Sequence, residues 1–218
     1  MPVVYLIRHG QASFGAADYD VLSPAGQVQA RLVGEALVRR GIRPSRIVAG
    51  TLRRQHDTAV ACAAGAPFDL PIETDSRWDE FDPAGLMAEP TAASADPTSS
   101  VQVRLDAALL NWTRPGATVA IGQTWPEFQA AALGAQRDLM ASLPSGGAGL
   151  AFTSAGVIGA ICADLLGLGG EGLVALNRVT VNTGITKIVS GRSGTTLLSF
   201  NDHAHLEGPA SPTLLTYR

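Results

Sequence analysis

An arginine and a histidine set at the end of an apolar run can act together on an anion, and this chain opens on such a pair. Val3 to Ile7 is continuously apolar and Arg8-His9-Gly10 follows at once. A neutral imidazole is nucleophilic near pH 7 when one ring nitrogen is held and the other left to attack. A guanidinium offers a planar fork that suits phosphate or carboxylate. A structural histidine would fit the same tripeptide, so His9 by itself leaves both readings open. A second cluster, Leu52-Arg53-Arg54-Gln55-His56-Asp57-Thr58-Ala59, sets two arginines at a helix start, where unpaired amides also attract anions. A solvated helix end is its plain alternative. The segment Trp78-Asp79-Glu80-Phe81-Asp82 adds carboxylates that read equally well as an acid or as surface charge.

The elements that must carry these residues alternate. Val3–Ile7 reads as a strand buried on both faces, as in a parallel sheet. Ser23-Pro24 supplies an N-cap and a first-turn proline for a helix whose stripe is Val28, Leu32, Ala36 and Leu37, and Gly41 ends it. Ile47–Ala49 gives the next strand, with Thr51 predicted to cap a helix running through Thr58 to Ala63. Both basic clusters therefore follow strands, at the C-terminal strand ends where α/β folds gather ligands.

From Asp82 to about Ser100 periodicity is lost, which predicts a surface insertion or lid. Val101–Trp112 then reads as a helix, and Thr124-Trp125-Pro126-Glu127 as a capping box heading another to about Leu143. Gly149–Thr153 is a buried strand and Gly156–Leu166 a helix. Gly184–Val189 and Thr195–Phe200 flank a Ser-Gly-Arg-Ser-Gly turn that joins two strands. The pattern predicts a single α/β domain over residues 1–218: a three-layer sandwich with a mainly parallel sheet, helices on both faces and a small cap at about 82–145.

Composition narrows the ligands. The 218 residues are 46% hydrophobic and 16% charged, with 19 acidic against 16 basic groups, so a sizeable core is available and wholesale disorder is excluded. A net charge of −3 without any like-charge block gives no electrostatic footprint for nucleic acid, and an anionic ligand must be met by a few placed arginines. Cys62 and Cys162 both lie among apolar residues, which predicts buried free thiols and a reducing, cytoplasmic setting. The apolar start lacks a basic leader, and Thr153, Ser154 and Asp164 interrupt the longest weakly polar stretch, so neither a secretory signal nor a membrane span is expected. No Asp, Glu, His or Cys spacing suits a metal, and no cofactor is implied.

The run Leu6-Ile7-Arg8-His9-Gly10-Gln11-Ala12-Ser13, followed by Leu22-Ser23-Pro24-Ala25-Gly26, resembles the histidine phosphatase superfamily, also called the phosphoglycerate mutase-like family. The likeness extends from Val3 to about Leu168 and returns in Asn201-Asp202-His203-Ala204-His205-Leu206. It implies a histidine that attacks phosphorus and becomes a phosphohistidine, and by motif match that histidine is His9. On the same grounds Arg8 and Arg54 bind the phosphate, the latter because it stands four positions before Thr58, and Glu80 is the acid for the leaving alcohol. The implied substrate is a small phosphorylated molecule. These roles agree with elementary chemistry: guanidinium forks and helix amides suit the equatorial oxygens of a transferring phosphoryl group, and an alkoxide must receive a proton.

Two positions depart from the family pattern. The family's second histidine is replaced by Ser154, in Thr153-Ser154-Ala155-Gly156-Val157-Ile158, and Gly15 stands where many members carry a phosphate-touching asparagine. Losing one donor of this type costs about 10²–10³ in kcat, so impaired turnover is compatible with the rest of the set. Ser154 can itself donate a hydroxyl proton to phosphate, and His203 or His205 is an auxiliary candidate. The expected activity is metal-independent phosphomonoester hydrolysis. A phospho-ligand-binding pseudoenzyme and a mutase-type phosphotransferase are the alternatives, and an imidazole restored at Ser154 is expected to raise kcat.

Overall fold

The computed structural model describes residues 1–13, 20–95, 98–117, 122–208 and 211–217. Gly15 lies outside them. The strands are β1 (Val3–Arg8), β2 (Pro44–Ala49), β3 (Ile72–Thr74), β4 (Ala148–Thr153), β5 (Ile185–Gly191) and β6 (Gly194–Asp202). The helices are α1 (Pro24–Arg39), α2 (Arg53–Ala64), α3 (Pro83–Ala88), α4 (Ala92–Ala95), α5 (Val101–Trp112), α6 (Trp125–Ser142), α7 (Ala155–Leu166), α8 (Gly170–Val179) and α9 (Ser211–Leu214). Among the described residues the strands form one sheet in the order β3-β2-β4-β1-β5-β6. β1, β2, β3 and β4 run parallel, β5 runs antiparallel to β1, and β6 returns antiparallel to β5.

Side-chain alternation along β1 makes the three layers. Val4 and Leu6 join a core with Leu109, Phe128, Leu139, Val157 and Ile161, whereas Tyr5 and Ile7 join Val33, Leu37, Ala59 and Cys62 on the other face. Cys62 and Cys162 are free and buried on opposite faces, and burial pushes each thiol up to about 12. The helix α6 packs on α7, β1 and the short 3-10 turn at Ser76–Trp78, so it lies against the sheet.

Two local expectations are corrected. Val28 is exposed and the buried face of α1 takes Gln29 instead, because Gln29 Nε2 donates to the Leu214 carbonyl at 2.6 Å and to Thr216 Oγ1 at 2.8 Å. Thr51 does not cap α2: its amide and hydroxyl both go to the Asp79 carboxylate, and the N-cap is Leu52 without a side-chain hydrogen bond. Ser23 does cap α1, its Oγ accepting from the Gly26 amide at 3.0 Å.

Candidate active site

His9 lies just beyond β1, and its main chain is fastened on three sides. Its amide donates to the Thr153 carbonyl of β4 at 2.8 Å, Asn182 Nδ2 donates to its carbonyl at 3.1 Å, and the next amide, Gly10, donates to Thr58 Oγ1 at 2.9 Å. The ring is equally constrained. Nδ1 stands 2.7 Å from the Gly10 carbonyl, which can only accept, so Nδ1 carries the proton and Nε2 holds a lone pair. Arg54 Nε donates to that lone pair at 3.3 Å. Burial, then the Arg8 and Arg54 guanidiniums, hold the His9 pKa well below the ordinary histidine value, against the opposite pull of the Gly10 carbonyl. The ring is therefore neutral near pH 7, the form that attacks.

Arg8 is the last residue of β1, and its Nη1 donates to the carbonyls of Thr180 and, at 2.9 Å, of Tyr217. Arg54 is placed by the first turn of α2, where its Nη1 meets Asp20 Oδ1 at 2.7 Å. Asp20 Oδ2 also accepts from the Arg53 amide at 2.7 Å, so a carboxylate from outside the helix caps α2 where Leu52 offers nothing. Both arginines are almost wholly buried, which fixes where their forks sit and strengthens their field on His9.

Glu80 follows the Ser76–Trp78 turn and reaches the start of α7, where the Gly156 amide donates to its Oε2 at 3.1 Å. A Cβ on residue 156 would overlap Glu80 Oε1 and come within 2.5 Å of the Phe81 ring, so only glycine leaves room for this contact. Burial raises the Glu80 pKa above the ordinary glutamate range, outweighing the Gly156 amide, Arg54, Arg8 and the Phe81 amide, which act the other way. A carboxyl whose proton is held more tightly than usual, in a site with a neutral imidazole, is the pairing that proton transfer to a leaving group requires.

Ser154 is completely buried between β4 and α7. Because Arg8 pairs with Thr153 across the parallel strands, Ser154 is the strand-end neighbour of His9. Its Oγ accepts from Gln55 Nε2 at 2.7 Å. His203 and His205 make their hydrogen bonds to other residues. His203 Nδ1 lies 2.7 Å from the Asn201 carbonyl, and His205 Nε2 lies 3.1 Å from Thr183 Oγ1, with Arg40, Asp202, His203 and Arg39 as the charges acting on it. The structure thus brings together His9, Arg8, Arg54, Glu80 and Ser154, while His203 and His205 hydrogen-bond outside that group.

Sequence reasoning passed over Asp20, Gln55, Thr58 as a hydrogen-bond partner and Asn182. Each is an ordinary polar residue whose meaning comes from its partner, and the partners lie 34, 99, 48 and 173 positions away. A cue existed for Gln55 and Thr58, polar residues placed where the α2 stripe should be apolar.

The chain belongs to the histidine phosphatase superfamily (branch 1), whose family model matches residues 4–203. No match is found among curated proteins. Among solved structures it is similar to YhfR of Bacillus stearothermophilus, at 21% identity with a TM-score of 0.73, covering 95% of this chain and 100% of that one. A mycobacterial glucosyl-3-phosphoglycerate phosphatase complexed with VO3 matches at 24% identity with a TM-score of 0.70, covering 92% and 99%. A phosphoserine phosphatase mutant from Entamoeba histolytica, in complex with phosphoserine, matches at 19% identity with a TM-score of 0.70, covering 95% and 100%. At these identities the likeness is one of fold.

Proposed function

We propose that the protein hydrolyses small phosphomonoesters through a phosphohistidine on His9. The observation that carries this reading is the state of the His9 ring: Nδ1 is tied to the Gly10 carbonyl, and the Nε2 lone pair is presented to the Arg54 guanidinium. Arg8 and Arg54 supply the positive charge that a phosphoryl group meets. Among the described residues no three His, Cys, Asp or Glu side chains come together as a metal site, and the proposed chemistry asks for none because the two guanidiniums balance the dianion.

In the first step His9 Nε2 bonds to phosphorus as the ester P–O bond breaks, and the leaving oxygen takes the Glu80 proton. In the second, water loses a proton to Glu80 as its oxygen bonds to phosphorus, and the P–N bond breaks to restore His9. Arg54 Nε, which covers Nε2 in the resting site, turns its N–H to a phosphoryl oxygen when substrate enters. The phosphatase structures of the same fold, one binding phosphoserine and one a glucosyl-3-phosphoglycerate phosphatase, support small phosphorylated metabolites as the substrate class.

Rapid quenching of the enzyme with a phosphomonoester tests the reading. An acid-labile, alkali-stable phosphate on His9 is expected, together with loss of activity in His9→Ala. A phosphate recovered on serine, or full turnover in His9→Ala, would falsify it.

A further inference from the structure

The carboxamide of Gln55 has no part in the steps above, yet it is the group that touches Ser154. We propose that Gln55 is a positioning residue that fixes the Ser154 hydroxyl as a hydrogen-bond donor to the transferring phosphoryl group; this rests on the phosphohistidine reading.

Gln55 stands in the first turn of α2 with no exposed surface. Its Nε2 donates to two oxygens, the Trp78 carbonyl at 3.0 Å and Ser154 Oγ at 2.7 Å. The Trp78 carbonyl can only accept, and it already accepts from Thr153 Oγ1 at 2.6 Å. Turning the amide over would set the Gln55 oxygen against that carbonyl in a buried site, so the nitrogen must face Ser154. Both amide hydrogens are then committed, and Ser154 Oγ is the acceptor of one.

A serine hydroxyl that accepts in this way still carries its own hydrogen. Among the described residues nothing takes it, because the Gln55 bond is the one hydrogen bond of that oxygen. Ser154 lies between His9, its neighbour across β1 and β4, and Gly156, whose amide holds Glu80. Turned away from Gln55, that hydrogen is the one the proposal assigns to a phosphoryl oxygen held between His9 and the Gly156–Glu80 junction. The other end of the carboxamide supports a role beyond filling space. Gln55 Oε1 is buried with no hydrogen-bond partner among the described residues and lies against Gly50, where a Cβ would overlap it. An apolar side chain would fill this volume without burying an unmatched acceptor, so the position is explained by its two donated hydrogen bonds.

Turnover of p-nitrophenyl phosphate, with inhibition by inorganic phosphate and by orthovanadate, tests the proposal in the wild type, Ser154→Ala, Gln55→Met, Gln55→Glu and the double variant Gln55→Met/Ser154→Ala, with His9→Ala as the blank. Ser154→Ala is expected to lower kcat by about 10²-fold, and Gln55→Met, which keeps the volume but donates nothing, by about tenfold or more, with KM changed far less. Gln55→Glu should be the more damaging single change at residue 55, since a carboxylate draws the Ser154 hydrogen to itself. It also carries the comparison should Gln55→Met fold poorly. Vanadate inhibition, which reports the five-coordinate geometry, should weaken in step with kcat while phosphate inhibition holds. The double variant should be no worse than Ser154→Ala, because the two residues act as one unit. If wild-type turnover exceeds that of His9→Ala but the Gln55 variants melt normally and stay within about twofold of wild type, or their loss multiplies with that of Ser154→Ala, the positioning role is wrong and the phosphatase reading stands. If wild type does no better than His9→Ala, both fall.

Discussion

His9 and Glu80 are moved in opposite directions by the same cause, since burial penalises the charged form of each. The imidazole loses its proton at a lower pH than usual and the carboxyl keeps its proton to a higher one. A bell-shaped kcat/KM profile is expected, with its acid limb below the ordinary histidine value of 6.5 and an alkaline limb set by Glu80 above the ordinary 4.5. Glu80→Gln should erase the alkaline limb and slow alkyl phosphates by about 10²–10⁴, with a smaller effect on the release of p-nitrophenolate, which needs no proton. Equal losses on both leaving groups would remove Glu80 from the acid role. At Ser154 the structure changes the expectation for a restored imidazole. Ser154 has no exposed surface and Gln55 Nε2 stands 2.7 Å from its Oγ, so an imidazole there must displace neighbours, and overpacking costs about 1–3 kcal/mol. Ser154→His alone should therefore lower the melting temperature without raising kcat, whereas Gln55→Ala/Ser154→His should raise kcat above that of Gln55→Ala. A gain from the single variant would show that the pocket has room.

At the scale of elements, the site is a meeting of strand ends and helix starts. β1 delivers Arg8 and His9, β4 delivers Ser154, α2 delivers Arg54 and Gln55, and the start of α7 holds Glu80 through Gly156. Gly10 and Gly26 approach so closely that a Cβ on residue 10 would lie 2.6 Å from the Gly26 carbonyl oxygen, which sets the loop after His9 against the start of α1. Gly156 is the analogous contact at α7. Gly156→Ala should displace Glu80 and the Phe81 ring, lowering kcat for alkyl phosphates by at least about tenfold while the protein stays folded. Unchanged kinetics together with an unchanged melting temperature would mean that Glu80 does not depend on this junction.

Across the whole molecule, the segment at Thr216 and Tyr217 is tied to residues of the site. The Tyr217 carbonyl accepts from Arg8, and the Thr216 carbonyl accepts from the amide of Asn182, whose side chain holds His9. His205 links this region to stability. Burial depresses its pKa to about 4, so the folded protein refuses a proton that the unfolded chain accepts near 6.5. Its contribution is intact above pH 6.5 and is lost as the pH falls from there towards about 4, amounting to about 3 kcal/mol, with His9 acting in the same direction. Urea titrations between pH 7 and pH 4 should show this fall, and His205→Gln should flatten it even if it lowers stability at pH 7. An equally steep fall in the variant would move the effect to other groups. Among the described residues no helix is long and apolar enough to cross a membrane.

Patterns carried by neighbouring residues were open to the sequence. Apolar runs, the Ser23 cap, the Thr124–Glu127 capping box and the order of strands and helices follow from rules that act over a few positions, and they suffice for an α/β sandwich with both basic clusters at strand ends. The motif around His9 carried the family. What the sequence alone could not supply depends on pairs brought together from afar. The His9 tautomer needs the direction of the Gly10 carbonyl, the cap of α2 needs Asp20, and the hydrogen-bonding sense of Ser154 needs a glutamine 99 positions away. Protonation and donor direction are set by burial and by the orientation of partners, and both exist only once the sheet has placed its strand ends side by side.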